Sequence, residues 1–82
     1  MISLEIGISG SKWWWADRTL HRDNGPSIIK TSGYRAWYNY GKWHRTYGPA
    51  IIRPDGTIEY WINDQPVSEY EHMFLTNQVT TI

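Results

Sequence analysis

Eighty-two residues without a single cysteine suffice for one small domain, and they exclude disulfide staples and thiolate metal sites. The opening Met1-Ile2-Ser3-Leu4-Glu5 has no basic segment and no long apolar run, so neither a secretion signal nor a membrane-spanning helix is expected and the expected compartment is cytoplasmic. The formal net charge of zero hides a split: all eight basic residues lie between Lys12 and Arg53, whereas Asp55, Glu59, Asp64, Glu69 and Glu71 follow with no base among them, a polarity that suits an anionic ligand, self-association or an ordinary solvated face.

Along the chain, Leu4, Ile6 and Ile8 alternate as a first strand, Gly10 marks a turn, and Trp13-Trp14-Trp15 begins a second strand. The same sentence then repeats. Gly10, Gly33 and Gly56 stand 23 residues apart, each followed by an aromatic pair: Trp14-Trp15, Trp37-Tyr38 and Tyr60-Trp61. A fixed period of this length signals stacked supersecondary units. In the third copy Ala50-Ile51-Ile52-Arg53, Pro54-Asp55-Gly56 and Thr57 to Ile62 read as strand, turn and strand, the glycine supplying the positive φ that closes the turn. Gly25-Pro26 and Gly48-Pro49 fall in links between hairpins, since proline cannot donate to a ladder. The expectation is an all-β antiparallel meander of about six strands in a single repeat domain, with hairpins over 2–17, 25–40 and 48–63. After Asp64 the pattern stops. Ser68 and Glu71 have capping-box spacing, which predicts a short helix over 69–76 whose Tyr70, Met73 and Phe74 share one side and close the open end of the sheet; the last six residues are expected to fray.

Strand side chains alternate faces, so Trp14, Trp37 and Tyr60 form one column and Trp15, Tyr38 and Trp61 another. The first column has core-like company in Ile58 and Ile62, which predicts that Trp13, Trp15, Tyr38, Tyr40 and Trp61 form an exposed aromatic row suited to binding. His21-Arg22 and His44-Arg45 are the second candidate. Equivalent residues of hairpin repeats lie about 10 Å apart, too far for both imidazoles to hold one ion, so no metal is expected. No nucleophile motif accompanies either His, and no cofactor or catalysis is expected. The planar forks of Arg22 and Arg45, beside His21 and His44, make these four residues candidates for binding an anion; packing of His on an aromatic and tying of turn to turn by Arg is the structural alternative.

The string from Gly33-Tyr34-Arg35-Ala36-Trp37-Tyr38 through Gly41-Lys42-Trp43-His44-Arg45 and Gly48-Pro49-Ala50-Ile51 to Asp55-Gly56 resembles the repeat D-G-x-x-x-W-Y-x-N-G-x-x-H-R-x-x-G-P-A of short proteins from tailed bacteriophages and some bacteria, distantly similar to MORN repeats. The likeness covers residues 10–64, and the stretch from Pro66 to Phe74 is similar to the helical end of such proteins. Arg18 and Asp64 depart from it where glycine is usual, Tyr40 stands where Asn is typical, and Ile2-Ser3 replaces the first Gly-Pro. The resemblance implies a non-catalytic accessory protein of viral origin that binds and inhibits a host protein. Two alternatives stay open: a homo-oligomer that sequesters a nucleotide between an Arg and an aromatic face, and a weak binder of single-stranded nucleic acid.

Overall fold

The computed structural model describes residues 1–77. Its elements are β1 (Ser3–Ile6), β2 (Lys12–Ala16), β3 (Thr19–Leu20), β4 (Ile28–Ile29), β5 (Arg35–Ala36), β6 (Tyr38–Asn39), β7 (Lys42–Trp43), β8 (Ile51–Ile52), β9 (Ile58–Ile62), β10 (Gln65–Val67) and α1 (Glu69–Leu75). All pairings are antiparallel, and the main sheet runs β1-β2-β4-β5-β8-β9-β10, with β3 on β2 and with β6 and β7 forming a separate pair. The architecture is the expected meander with a C-terminal helix, built from ten strands rather than six. No helix among the described residues is long and apolar enough to cross a membrane. The frayed end expected beyond Asn77 lies outside the described residues.

Each hairpin closes by one device. Gly7, Lys30 and Arg53 accept from the N–H of Gly10, Gly33 and Gly56, and donate to the C=O of Ser11, Tyr34 and Thr57, all at 2.8–3.0 Å. The glycines sit at φ +94°, +103° and +90°, a region that costs other residues strain, which is why the glycine alone persists through all three turns.

The additional strands come from a second, tighter turn. Asp17-Arg18, Tyr40-Gly41 and Asn63-Asp64 all have positive φ, the signature of two-residue turns that match strand twist. Each folds a short third strand (β3, β7, β10) back on the aromatic strand. In the second repeat the aromatic strand itself is interrupted at Trp37. There the Ser27 hydroxyl accepts the Tyr38 N–H at 3.1 Å and donates to its C=O at 3.2 Å. Opposite Ala50, which has no hydroxyl, β9 runs unbroken through Tyr60.

Register places repeat equivalents in rows: Trp13, Ile28, Ala36, Ile51 and Glu59 are successive cross-strand partners. One residue further on, the row reads Trp14, Ser27, Trp37, Ala50, Tyr60, linked by Trp14 N–H to Ser27 C=O and Trp37 N–H to Ala50 C=O. Large and small alternate, and that is how wide rings fit on strands less than 5 Å apart. Among the described residues the buried apolar ones are Ala16, Ile28, Ala36, Ala50 and Ile51, with Ser27 fully enclosed. The rings lie around this narrow core, half-buried on both faces.

Helix α1 starts at the expected cap: Ser68 accepts the Glu71 N–H at 3.0 Å and the Glu71 carboxylate accepts the Ser68 N–H at 3.0 Å. Those bonds hold the Glu71 carboxyl below the usual carboxylate range. Its orientation corrects the sequence expectation. Tyr70, Met73 and Phe74 are exposed, and the residue turned onto the sheet is His72, 2% exposed. Its Nε2–H donates to the Arg45 C=O at 2.6 Å and its ring rests 4.8 Å from that of Tyr60. A directed hydrogen bond to a carbonyl left over from the repeat sets the helix's facing.

Candidate functional site

The two His-Arg steps occupy equivalent joints between repeats. His21 N–H donates to Trp14 C=O at 3.0 Å, and His44 N–H to Trp37 C=O at 3.1 Å. This fixes each imidazole over the tight turn of the next repeat. Tyr40 N–H donates to His21 Nδ1 and Asn63 N–H to His44 Nδ1, both at 3.2 Å. The following turn residue completes the lock, Gly41 donating to Leu20 C=O at 2.8 Å and Asp64 to Trp43 C=O at 2.9 Å. Because Nδ1 accepts, Nε2 carries the proton. In the first joint that proton meets the Asp23 carboxylate at 2.7 Å, in the second the Thr46 hydroxyl at 3.4 Å.

The arginines tie the same joint from the other side. The Arg22 guanidinium lies 3.9 Å over the Trp14 ring and that of Arg45 3.8 Å over Trp37, a geometry in which cation and ring quadrupole attract. Their Nη1 groups donate to Pro26 C=O at 3.3 Å and Pro49 C=O at 3.2 Å. A Cβ on Gly25 or Gly48 would stand 2.9 Å from the Arg Cζ. Each guanidinium is thus held between a Trp face and a bare glycine, which accounts for the H-R-x-x-G-P spacing residue by residue. Burial draws the Arg45 pKa down from its ordinary value.

These four predicted anion-binding residues therefore come together in pairs, each engaged by the chain itself. Between the two loops lies a cleft of about 580 Å³, lined by Arg22, Arg45, Trp37, Tyr38, His44 and Tyr47 among others. Among the described residues no group of three or more His, Asp or Glu could hold a metal ion.

The predicted aromatic row is less exposed than expected. Trp13, Trp15, Tyr38 and Trp61 are half-buried, and of the five only Tyr40 is exposed, at 54%. Trp43, which the alternation argument omitted, explains part of this: it stands 5.8 Å from Tyr38 and 4.7 Å from Trp61, ring to ring. The indole N–H groups of Trp15 and Trp61 are taken by Glu5 at 3.1 Å and Glu59 at 2.9 Å. The Trp61 bond, followed by one from Arg53, lowers the Glu59 pKa. Tyr40 keeps its exposure because it sits in a tight turn, its ring stacked 3.9 Å from that of His21.

Most other large exposed side chains gather in two groups, with Tyr47, at 80%, apart from both. Tyr70, Phe74 and Leu75 are 73%, 68% and 62% exposed on α1, with Met73 beside them, and Leu4 and Ile6 on β1, with Ile8 in the turn that follows, are exposed at the first edge of the sheet. Sequence reasoning missed both groups, the first through the helix's unexpected facing and the second because alternation marks a strand without showing that it forms the edge of the sheet. No protein family, no curated protein and no solved structure matches this chain.

Proposed function

We propose that the chain is a non-enzymatic binding module that docks on another protein and, in keeping with the resemblance to short bacteriophage proteins, on a host protein that it inhibits. The observation that carries this reading is the exposed apolar side of α1. A seven-residue helix whose one buried residue among those described is His72 needs neither Tyr70 nor Phe74 for its own packing, and exposed clusters of this kind are what partner grooves cover. Glu69 and Glu71 in the first turn suit a groove with a basic rim. The engagement of all four His-Arg residues within the fold also favours recognition over chemistry, since both nitrogens of each imidazole are bonded.

The test is reconstitution with purified host partners captured by the chain. A stoichiometric complex that Tyr70→Ala with Phe74→Ala abolishes, while circular dichroism stays unchanged, is the expected result. Capture of chaperones only, or a complex indifferent to both substitutions, contradicts it.

The cleft between the His-Arg loops favours a second reading, sequestration of an anionic nucleotide by Arg22, Arg45 and the faces of Tyr38 and Tyr47. Nucleotides would then raise the melting temperature, and Tyr47→Ala would remove the shift. No shift with any nucleotide at millimolar concentration excludes it.

A further inference from the structure

The first edge of the sheet carries more information than its exposed aliphatic side chains. Gly7 N–H donates to Ser11 C=O at 2.8 Å, and bonded and non-bonded pairs alternate along an antiparallel ladder. Glu5 with Trp13 and Ser3 with Trp15 are thus bonded pairs, while Leu4 with Trp14 and Ile6 with Lys12 are not. Trp14 agrees: its N–H goes to Ser27 and its C=O to His21, both away from β1. Leu4 and Ile6, and Ile2 ahead of them, consequently aim N–H and C=O at the outer edge, where no other strand of the described residues lies.

The opposite edge is blunted. β10 has three residues, one of them Pro66 without an N–H, and the chain turns directly into α1. β1 has no proline and no lysine, and its one charge, Glu5, is folded back on Trp15 of the same chain. Long unprotected edges are templates for another strand.

We propose that the occupant is a second copy of this chain, joined β1 to β1 in antiparallel register about a twofold axis at Leu4. Three observations select it. The axis at Leu4 makes the outward backbone groups of Ile2, Leu4 and Ile6 bond to those of Ile6, Leu4 and Ile2 in the second copy. The alternative axis at Glu5 sets two like charges opposite each other, which is unfavourable. Finally, Leu4 packs against Trp14 on one side only and is 49% exposed, so its outer flank is bare and is covered by Leu4 of the second copy. A twofold of this kind closes on itself, and the blunted β10 edges end the joined sheet.

Sedimentation or light scattering of the full chain tests this, and the expected mass is that of two copies. Leu4→Cys supplies the sole thiol; at the axis the two Cα atoms stand about 5.5 Å apart, inside the range a disulfide spans, so mild oxidation is expected to convert most of the protein to a covalent dimer. Ile8→Cys lies in the hairpin turn beyond the end of β1, well outside disulfide reach of its counterpart, and is expected not to cross-link. Leu4→Lys, whose side chain stays in solvent in the single chain, is expected to give one-copy mass with an unchanged circular dichroism spectrum. A one-copy mass for the unmodified chain at millimolar concentration overturns the proposal, as does equal cross-linking at positions 4 and 8.

Discussion

The two joints of this molecule use the same bonds and end on different chemistry. In the first, His21 is 5% exposed, stacks on Tyr40 and gives its Nε2 proton to Asp23. In the second, His44 is half-buried, has Asn63 in place of Tyr40 below it, and meets Thr46 at 3.4 Å. Even the carbonyl two residues ahead of each tight turn is satisfied differently, Tyr38 by the Ser27 hydroxyl and Trp61 by the Arg45 N–H at 3.3 Å. A repeat thus conserves the acceptor at Nδ1 and the Arg over Trp, and varies what surrounds them. The invariant bonds define the architecture, and the variable ones set how firmly each joint holds and how it responds to pH.

The largest effect should come where the joints are alike. Trp14→Ala and Trp37→Ala each remove a ring that packs over small cross-strand neighbours and carries an arginine, and each should cost about 3 kcal/mol in urea denaturation, the lower end for tryptophan truncation because the rings are half-buried. A large difference between the two would mean that the joints are not equivalent on their aromatic side.

Next come the histidines, where the joints should diverge. His21→Ala leaves a turn N–H without its acceptor in the more enclosed joint and should cost about 2 kcal/mol, against about 1 kcal/mol for His44→Ala. Equal costs would show that burial and the Tyr40 stack add nothing.

Smaller still, Gly25→Ala and Gly48→Ala should each displace a guanidinium from its Trp for about 1 kcal/mol or less. Combined with Arg22→Ala or Arg45→Ala, the glycine substitution should add almost nothing, because its clash has already been removed. Full additivity would separate the glycine from the arginine and undo the reading of the H-R-x-x-G-P spacing.

The smallest effect is one of pH. Burial, then the neighbouring His72, lowers the His44 pKa below its ordinary 6.5. The unfolded chain therefore takes up a proton that the folded chain refuses: the stabilisation is complete above about 6.5, the unfolded value, and is lost as pH falls through the depressed folded value. His44→Asn offers Oδ1 as acceptor for the Asn63 N–H without titrating, so stability measured across this window should lose that part of its slope. An unchanged slope would assign the pH dependence elsewhere.

The fold was legible because the period was. Gly10, Gly33 and Gly56 announced the hairpin turns, and Ser68 with Glu71 announced the helix, since each of these residues is demanded by local backbone geometry. β3, β7 and β10 were not legible: their tight turns are built by Asp17-Arg18, Tyr40-Gly41 and Asn63-Asp64, and only the last two pairs contain a residue at ease with positive φ in a familiar order. The candidate site was half legible. The register sets Trp14, Trp37 and Tyr60 in one row, as alternation implies, but the exposure expected of Trp13, Trp15, Tyr38 and Trp61 is not seen, in part because Trp43 from a neighbouring short strand covers Tyr38 and Trp61. His72 gave no signal at all. It has no counterpart in the earlier repeats, and its role depends on the Arg45 carbonyl, 27 residues away in the chain.

The central claim, that each repeat is locked to the next by an imidazole accepting a turn amide, has a direct readout in native-state hydrogen exchange. The amides of Tyr40 and Asn63 sit in exposed turns yet should exchange slowly, whereas that of Asp17, the equivalent turn residue with no histidine ahead of it, should exchange fast. Equal exchange at all three positions would contradict the account.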